Sequence, residues 1–206
     1  RRHFPGRRGQ PTAIIGGTGS GKSTIASLIL RFHDVTRGAI LLNGTDIRRM
    51  PQHFLRERLA YVQQKAWLFS GTIADNLRYS DPDASRETML HAVDVAQAGE
   101  FVGALPDGLD SFVAQGGTNF SGGQRQRLSI ARALVKKPEL YIFDDSFSAL
   151  DFKTDAALRR ALAKETQDAA VLIIAQRVST IQHADQIIVL HEGRMAGIGR
   201  HEGLLK

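Results

Sequence analysis

The sequence predicts an α/β domain built on a mostly parallel central sheet, and three observations predict it. Short apolar runs bounded by glycine or proline recur along the chain. Stretches of helical period separate them, as in repeated strand–helix–strand units. A glycine-rich run from Gly16 to Ser23 joins the first of these strands to the first of these helices. The 206 residues leave room for one domain with a sub-lobe and a real core.

Taken in order, Thr12 to Ile15 reads as the first strand, and Ile25, Leu28, Ile29 and Phe32 form one face of the helix that follows it. Gly38 to Asn43 reads as an edge strand and turn, and Leu59 to Val62 as another short strand. From Gly71 to Leu105 the texture changes, and the spacing of Met89, Ala92, Val93 and Ala96 predicts an amphipathic helix in a helical sub-lobe. From Ser121 onward, Leu128, Ala131, Leu134 and Val135 predict a helix that stops at Lys136-Lys137-Pro138. Leu140 to Phe143, Val171 to Ile174 and Ile187 to Leu190 are short and continuously apolar, as buried parallel strands are. Arg194 to Ile198 predicts a last edge strand, and a helix starts within His201 to Lys206.

Composition narrows the function. With 42% hydrophobic and 23% charged residues, disordered and low-complexity classes are excluded. The longest apolar runs fall far short of the roughly 20 residues that cross a bilayer, so no direct membrane insertion is expected. There is no cysteine, hence neither a disulfide framework nor a thiolate metal site. Histidines such as His33, His53 and His183 show no zinc-site spacing and are expected on surfaces. The net charge of +6 invites a nucleic-acid reading. Apart from Arg1, Arg2, Arg7 and Arg8, however, the positive residues are scattered and no stacking platform accompanies them, so no nucleic acid is expected. The sequence opens on Arg1 rather than Met and reads as a piece of a longer polypeptide.

Gly16-Gly17-Thr18-Gly19-Ser20-Gly21-Lys22-Ser23 satisfies G-x-x-x-x-G-K-S between a predicted strand and a predicted helix, the context that marks a phosphate loop. The glycines let successive N–H groups point at phosphate oxygens, and the helix N-terminus adds positive potential. Lys22 is placed to neutralise the outer phosphates and Ser23 to ligate Mg²⁺; Thr24 continues the site. Asp144, at the end of an apolar run, supplies a carboxylate where α/β sheets place ligands. Alone it would read as a turn or helix cap. Ser121 caps a helix that opens on Gly122 and Gly123, a tip suited to an anion, with an ordinary capped helix bonded to water as the alternative.

The segment Asn119-Phe120-Ser121-Gly122-Gly123-Gln124-Arg125-Gln126-Arg127 closely resembles the signature motif of ATP-binding cassette (ABC) ATPases, with Phe120 where leucine is usual. Gln64 in Tyr61-Val62-Gln63-Gln64 resembles the Q-loop, and Ser148-Ala149-Leu150-Asp151 the D-loop. The resemblance covers nearly the whole chain. It implies a P-loop NTPase (RecA-like) core over about 1–70 and 137–206 and a helical subdomain over about 71–136. It further implies ATP and Mg²⁺ as ligands, with Gln64 joining Ser23 and Asp144 around the metal. It implies a head-to-tail pair of cassettes in which Ser121 to Gln124 and Asp151 of one face the ATP of the other. The family's strands before the phosphate loop, with the adenine-stacking aromatic, are expected to lie outside this sequence. Trp67 to Leu77 and Leu190 to Glu202 look like exporter-type cassettes, in which the first region meets the coupling helices of a transmembrane domain. Core packing reads Trp67, Leu68 and Phe69 equally well when each is taken singly. The expected place is the cytoplasmic face of the plasma (inner) membrane. A non-transport ABC protein acting as a clamp or switch in DNA repair or translation is the alternative.

Two positions depart from the family pattern. The glutamate that follows the Mg²⁺-linked aspartate is here Asp145, one methylene shorter, and the switch histidine is here Gln176, which cannot become cationic. Gln115 also stands where exporters commonly have glutamate. The expectation is a slow ATPase: the degenerate half of a heterodimeric exporter, paired with a hydrolytically competent cassette.

Overall fold

In the computed structural model, which describes residues 3–205, the elements in chain order begin with β1 (Thr12–Gly16), α1 (Lys22–Ile29), β2 (Leu41–Leu42), β3 (Thr45–Asp46), α2 (Gln52–Glu57) and β4 (Leu59–Val62). Then come β5 (Gly71–Thr72), α3 (Ile73–Leu77), α4 (Arg86–Val95), α5 (Gly99–Ala104), β6 (Phe112–Val113) and α6 (Gly122–Lys136). They are followed by β7 (Leu140–Asp144), α7 (Phe152–Glu165), β8 (Ala170–Ala175), β9 (Gln186–His191), β10 (Arg194–Gly199) and α8 (His201–Leu204). The expected basic pair Arg1 and Arg2, and Lys206 at the end of the expected last helix, lie outside the described residues.

The chain forms two compact units. Arg1–Ala60, Glu139–Asp144 and Ala169–Lys206 make the first, and Tyr61–Pro138 with Asp145–Asp168 the second. The chain from Tyr61, within β4, to Pro138 and the whole of α7 thus fall with the second unit.

The first unit is organised by the sheet, of strand order β10-β9-β1-β8-β7-β4. β1 pairs in parallel with β8 and β9, β7 with β8 likewise, whereas β10 is antiparallel to β9. Continuous apolar runs suit strands buried on both faces. Ala13, Ile14, Ile142, Phe143, Ile174 and Ile188 are at most 1% exposed. Each large aliphatic or aromatic chain so buried stabilises the fold by roughly 1.5–3 kcal/mol.

Two expectations are corrected in this unit. Ile25 is buried on α1 as predicted, but the helix ends at Ile29 because Arg31 takes a left-handed φ of 56°. Phe32 therefore leaves the helical face; it is 56% exposed and lies 5.4 Å beneath the Arg56 guanidinium. Within Gly38 to Asn43 only Leu41–Leu42 is strand, and it pairs with β3 rather than with the main sheet. Asn43 and Gly44, both at positive φ (50° and 81°), make the tight turn that Asn-Gly favours, which closes a self-contained hairpin.

In the second unit α4 and α3 pack against α6, and α4 also against α7. Met89, Ala92, Val93 and Ala96 are all buried, as their spacing requires. α6 begins in a capping box and ends where Lys137 turns left-handed just before Pro138. His33, His53 and His183 are exposed. Among the described residues no helix is long and apolar enough to cross a membrane.

Candidate functional site

The loop from Gly17 to Gly21 leaves the C-terminal end of β1 and enters α1. At Gly16 a Cβ would stand 2.5 Å from the Ser20 Oγ and 2.6 Å from the Leu190 carbonyl oxygen, so no side chain fits there. Gly19 and Gly21 hold φ of 76° and 97°, which bend the chain back over its own helix N-terminus. That terminus has no side-chain cap, which leaves the first turn of α1 without a local acceptor for its N–H groups. Lys22 is buried and its Nζ donates to the Gly16 carbonyl. The Ser20 hydroxyl is buried and has no hydrogen-bond partner among the described residues.

A buried hydroxyl without a partner is costly, and an anionic oxygen would satisfy it. An ammonium, a hydroxyl and helix N–H groups on one short turn fit a phosphate chain. Ser23, exposed in the first turn of α1, and Asp144 are oxygen donors of the kind Mg²⁺ takes.

The strand register brings the other predicted residues of this unit to the same edge. Ile14 is level with Ile174, and Ile174 with Asp144, while Ala175 is level with Ile15 and immediately precedes Gln176. Three parallel strands therefore end together, carrying the phosphate loop, Gln176 and Asp144 in the order β1, β8, β7. Gln176 also lines, with Gly17, Thr18, Val178, Ile181 and Leu204, a cavity of about 530 Å³.

The remaining predicted residues lie in the second unit. Gln64 is exposed, two residues past β4, and Asp145 opens the segment before α7 with a φ of 48°. Aspartate tolerates that left-handed conformation better than longer or branched residues do. Ser121 Oγ accepts from the Gln124 N–H at 3.1 Å, and Gln124 Oε1 accepts from the Ser121 N–H at 3.0 Å. The signature tip is thus preset by its own capping box. At Gly123 a Cβ would lie 3.0 Å from the Ala149 carbonyl oxygen, so the D-loop backbone rests directly on this glycine. Asp151 caps α7, accepting from the Thr154 N–H and Oγ1, each at 2.8 Å. Those two hydrogen bonds hold its carboxyl below the usual carboxylate range.

The segment Trp67 to Phe69 splits between the two readings open to it. Leu68 is fully buried, whereas Trp67 is 55% exposed and Phe69 is exposed and stacked on Tyr79 at 4.6 Å. Arg132 of α6 donates to the Trp67 carbonyl at 2.9 Å, and the Gly116 N–H to the Leu68 carbonyl at 2.8 Å. Burial depresses the Arg132 pKa, though a guanidinium stays charged.

Sequence reasoning missed two side chains that organise this unit. Ser146, fully buried, donates to the Val62 carbonyl at 2.6 Å, and Gln126, 3% exposed, bonds to Gln64, Ser148 and Ala149. Gln126 had a signal: it lies four residues before Ile130 on the apolar stripe of α6, where a polar residue must find partners.

The sequence profile of the ABC transporter family matches residues 3–148. An uncharacterised ABC transporter ATP-binding protein of Mycobacterium bovis is 50% identical over 202 residues, covering 97% of this chain and 34% of that protein. An ATP-dependent lipid A-core flippase of Chromobacterium violaceum is 44% identical over 198 residues, covering 96% of this chain and 34% of the flippase. A solved bacterial Atm1-family ABC exporter with ATP bound matches at a TM-score of 0.94 and 40% identity, over 98% of this chain and 35% of that one. The chain thus spans about a third of the length of the relatives it matches. Its α/β architecture with a mostly parallel sheet is that of the exporter's nucleotide-binding domain. Phosphate loop, signature helix, sheet order and these likenesses agree, and the chain belongs to the ABC transporter family.

Proposed function

We propose that this chain is the ATP-binding domain of an ABC exporter, on the cytoplasmic face of the inner membrane, and that it binds ATP well but turns it over slowly. The observation that carries the reading is the phosphate loop itself. The buried Ser20 hydroxyl, which has no partner among the described residues, the Lys22 ammonium and the uncapped N-terminus of α1 lie together on one short loop. Gly16 to Thr24 would cradle the triphosphate. Ser23 and Asp144 would hold Mg²⁺, which supplies positive charge to the phosphate oxygens when bound; Gln64 joins that set only through the family resemblance.

Turnover needs a base aimed at the attacking water and a donor that follows the charge developing on the γ-phosphate. Asp145 offers a carboxylate one methylene short of the family's glutamate, and Gln176 donates a hydrogen bond but stays neutral. A displacement near 1 Å costs about a hundredfold in rate. Binding groups are complete while both hydrolytic groups are altered, which supports a degenerate site working beside a competent one. Ser121 to Gln124 and Asp151 would then serve the nucleotide of the second cassette. The exposed Trp67, Phe69 and Tyr79 would meet a transmembrane domain, a role that a clamp or translation switch does not need. The exporter and flippase among the similar proteins favour the same reading.

The test is ATPase turnover of the full transporter. Asp145→Glu with Gln176→His is expected to raise turnover at this site about tenfold or more. Replacing Gly122 by a bulky residue is expected to abolish most of the total. Unchanged turnover after the Gly122 substitution would rule out the asymmetric scheme.

A further inference from the structure

Gln126 occupies the buried face of α6, between the signature tip and the helix core. Its Nε2 donates to the Gln64 carbonyl at 3.0 Å and to Ser148 Oγ at 3.1 Å, and its Oε1 accepts from the Ala149 N–H at 3.0 Å. Both donor hydrogens and an acceptor lone pair are thus engaged, and every bond leaves the helix. Here the partners are exposed loop residues 62, 22 and 23 positions away in sequence.

Two further contacts tighten the same assembly. The Ala149 carbonyl sits where a Gly123 side chain would begin, so the D-loop backbone is pressed onto the first turn of α6. Ser146 Oγ ties the chain just ahead of the D-loop to Val62, two residues before Gln64. Apolar contacts would hold these segments together without fixing their register, whereas hydrogen bonds lose strength steeply as they misalign.

We propose that Gln126 is a positioning residue that locks the signature helix, the Q-loop and the D-loop into one moving body. A shift of the Gln64 backbone then carries Ser148 and Ala149 with it, and Ser121 to Gln124 as well, because Gln126 is part of the same helix. The proposal rests on the nucleotide-binding reading above, since it gives those three segments a shared task. Gln126 touches no reacting atom in this scheme. It sets how the groups that serve a nucleotide are spaced.

The experiment uses the full transporter carrying Gln126→Met or Gln126→Glu, with Lys22→Ala as a control. Met keeps the volume and loses all three bonds. Glu keeps the acceptor for Ala149 but sets an oxygen against the Gln64 carbonyl. For Gln126→Met, kcat is expected to fall between about tenfold and a hundredfold, with the affinity for a fluorescent ATP analogue unchanged within about twofold. Hydrogen exchange should quicken over residues 146–151 but not over 128–135, and Gln126→Glu should keep the Ala149 amide slow while still lowering kcat. Wild-type kcat and exchange in Gln126→Met would overturn the proposal. So would faster exchange across 128–135 together with lost analogue binding, the mark of a role in stability alone. If Lys22→Ala keeps wild-type affinity for the analogue, the nucleotide-binding reading fails and takes the proposal with it. If Lys22→Ala abolishes binding while both Gln126 variants behave as wild type, only the positioning role fails.

Discussion

Gly16 and Gly17 are adjacent and look interchangeable in sequence, yet their surroundings differ sharply. A methyl group on Gly16 would meet the Ser20 hydroxyl and the Leu190 backbone, whereas one on Gly17 meets nothing within 4 Å. The Leu190 carbonyl belongs to a ladder strand and cannot step aside cheaply. Gly16→Ala is therefore expected to cost about 1–3 kcal/mol in urea unfolding, as overpacking does. Gly17→Ala should fall within about 0.5 kcal/mol of the parent. Equal losses at the two positions would contradict the geometry. At the same scale Asp145 stands in a left-handed conformation, which aspartate tolerates better than longer or branched residues do.

Among the elements, α7 and α6 are started by different means. α6 opens on a neutral capping box, Ser121 with Gln124, whereas α7 opens on a carboxylate, Asp151. The Thr154 N–H and hydroxyl lower the Asp151 pKa in the folded state, so its proton affinity there is below that of the unfolded chain. Its contribution to stability is complete above the ordinary carboxylate range and is lost as pH falls through the lower folded value. Asp151→Asn keeps a capping oxygen but removes the titration. The melting temperature of the parent is expected to exceed that of Asp151→Asn above about pH 4, with the gap closing at lower pH. A gap that widened on acidification would refute this account of the cap.

Over the whole molecule, charge is unevenly placed. Residues 1–60, which include the phosphate loop, hold 11 Lys and Arg against 3 Asp and Glu, while the remainder holds 16 against 18. Several of these arginines are engaged locally. Arg31 pairs with Asp34, Arg48 holds the Asp46 carboxyl down at about 2 through its side-chain and amide hydrogen bonds, and Arg58 lies 3.4 Å from the centre of the Phe54 ring. Such pairing argues against a continuous nucleic-acid track, but residues 1–60 still carry a net positive charge in the stretch of sequence that would receive a polyanion. The association rate of a fluorescent ATP analogue should fall as salt rises from about 0.1 M to about 1 M, because the screening length shortens from about 10 to about 3 Å. A rate indifferent to salt in stopped-flow would dispose of steering.

The sequence by itself determined the α/β class, the central strands, the phosphate loop and the capped signature helix, because each is encoded within a few neighbouring residues. Glycines at fixed spacing, a Ser121 cap and continuous apolar runs are local signals, and local physics reads them. It misjudged Phe32, where one left-handed residue broke the helical period, and Gly38 to Asn43, where turn chemistry closed a private hairpin. Tertiary structure alone decided that Asp144 and Gln176 end beside the phosphate loop, since parallel register joins strands more than a hundred residues apart in the chain. It alone put Gln126 between Gln64 and Ala149. A buried amide finds partners through packing at long range, and spacing along the chain carries no record of where those partners will lie.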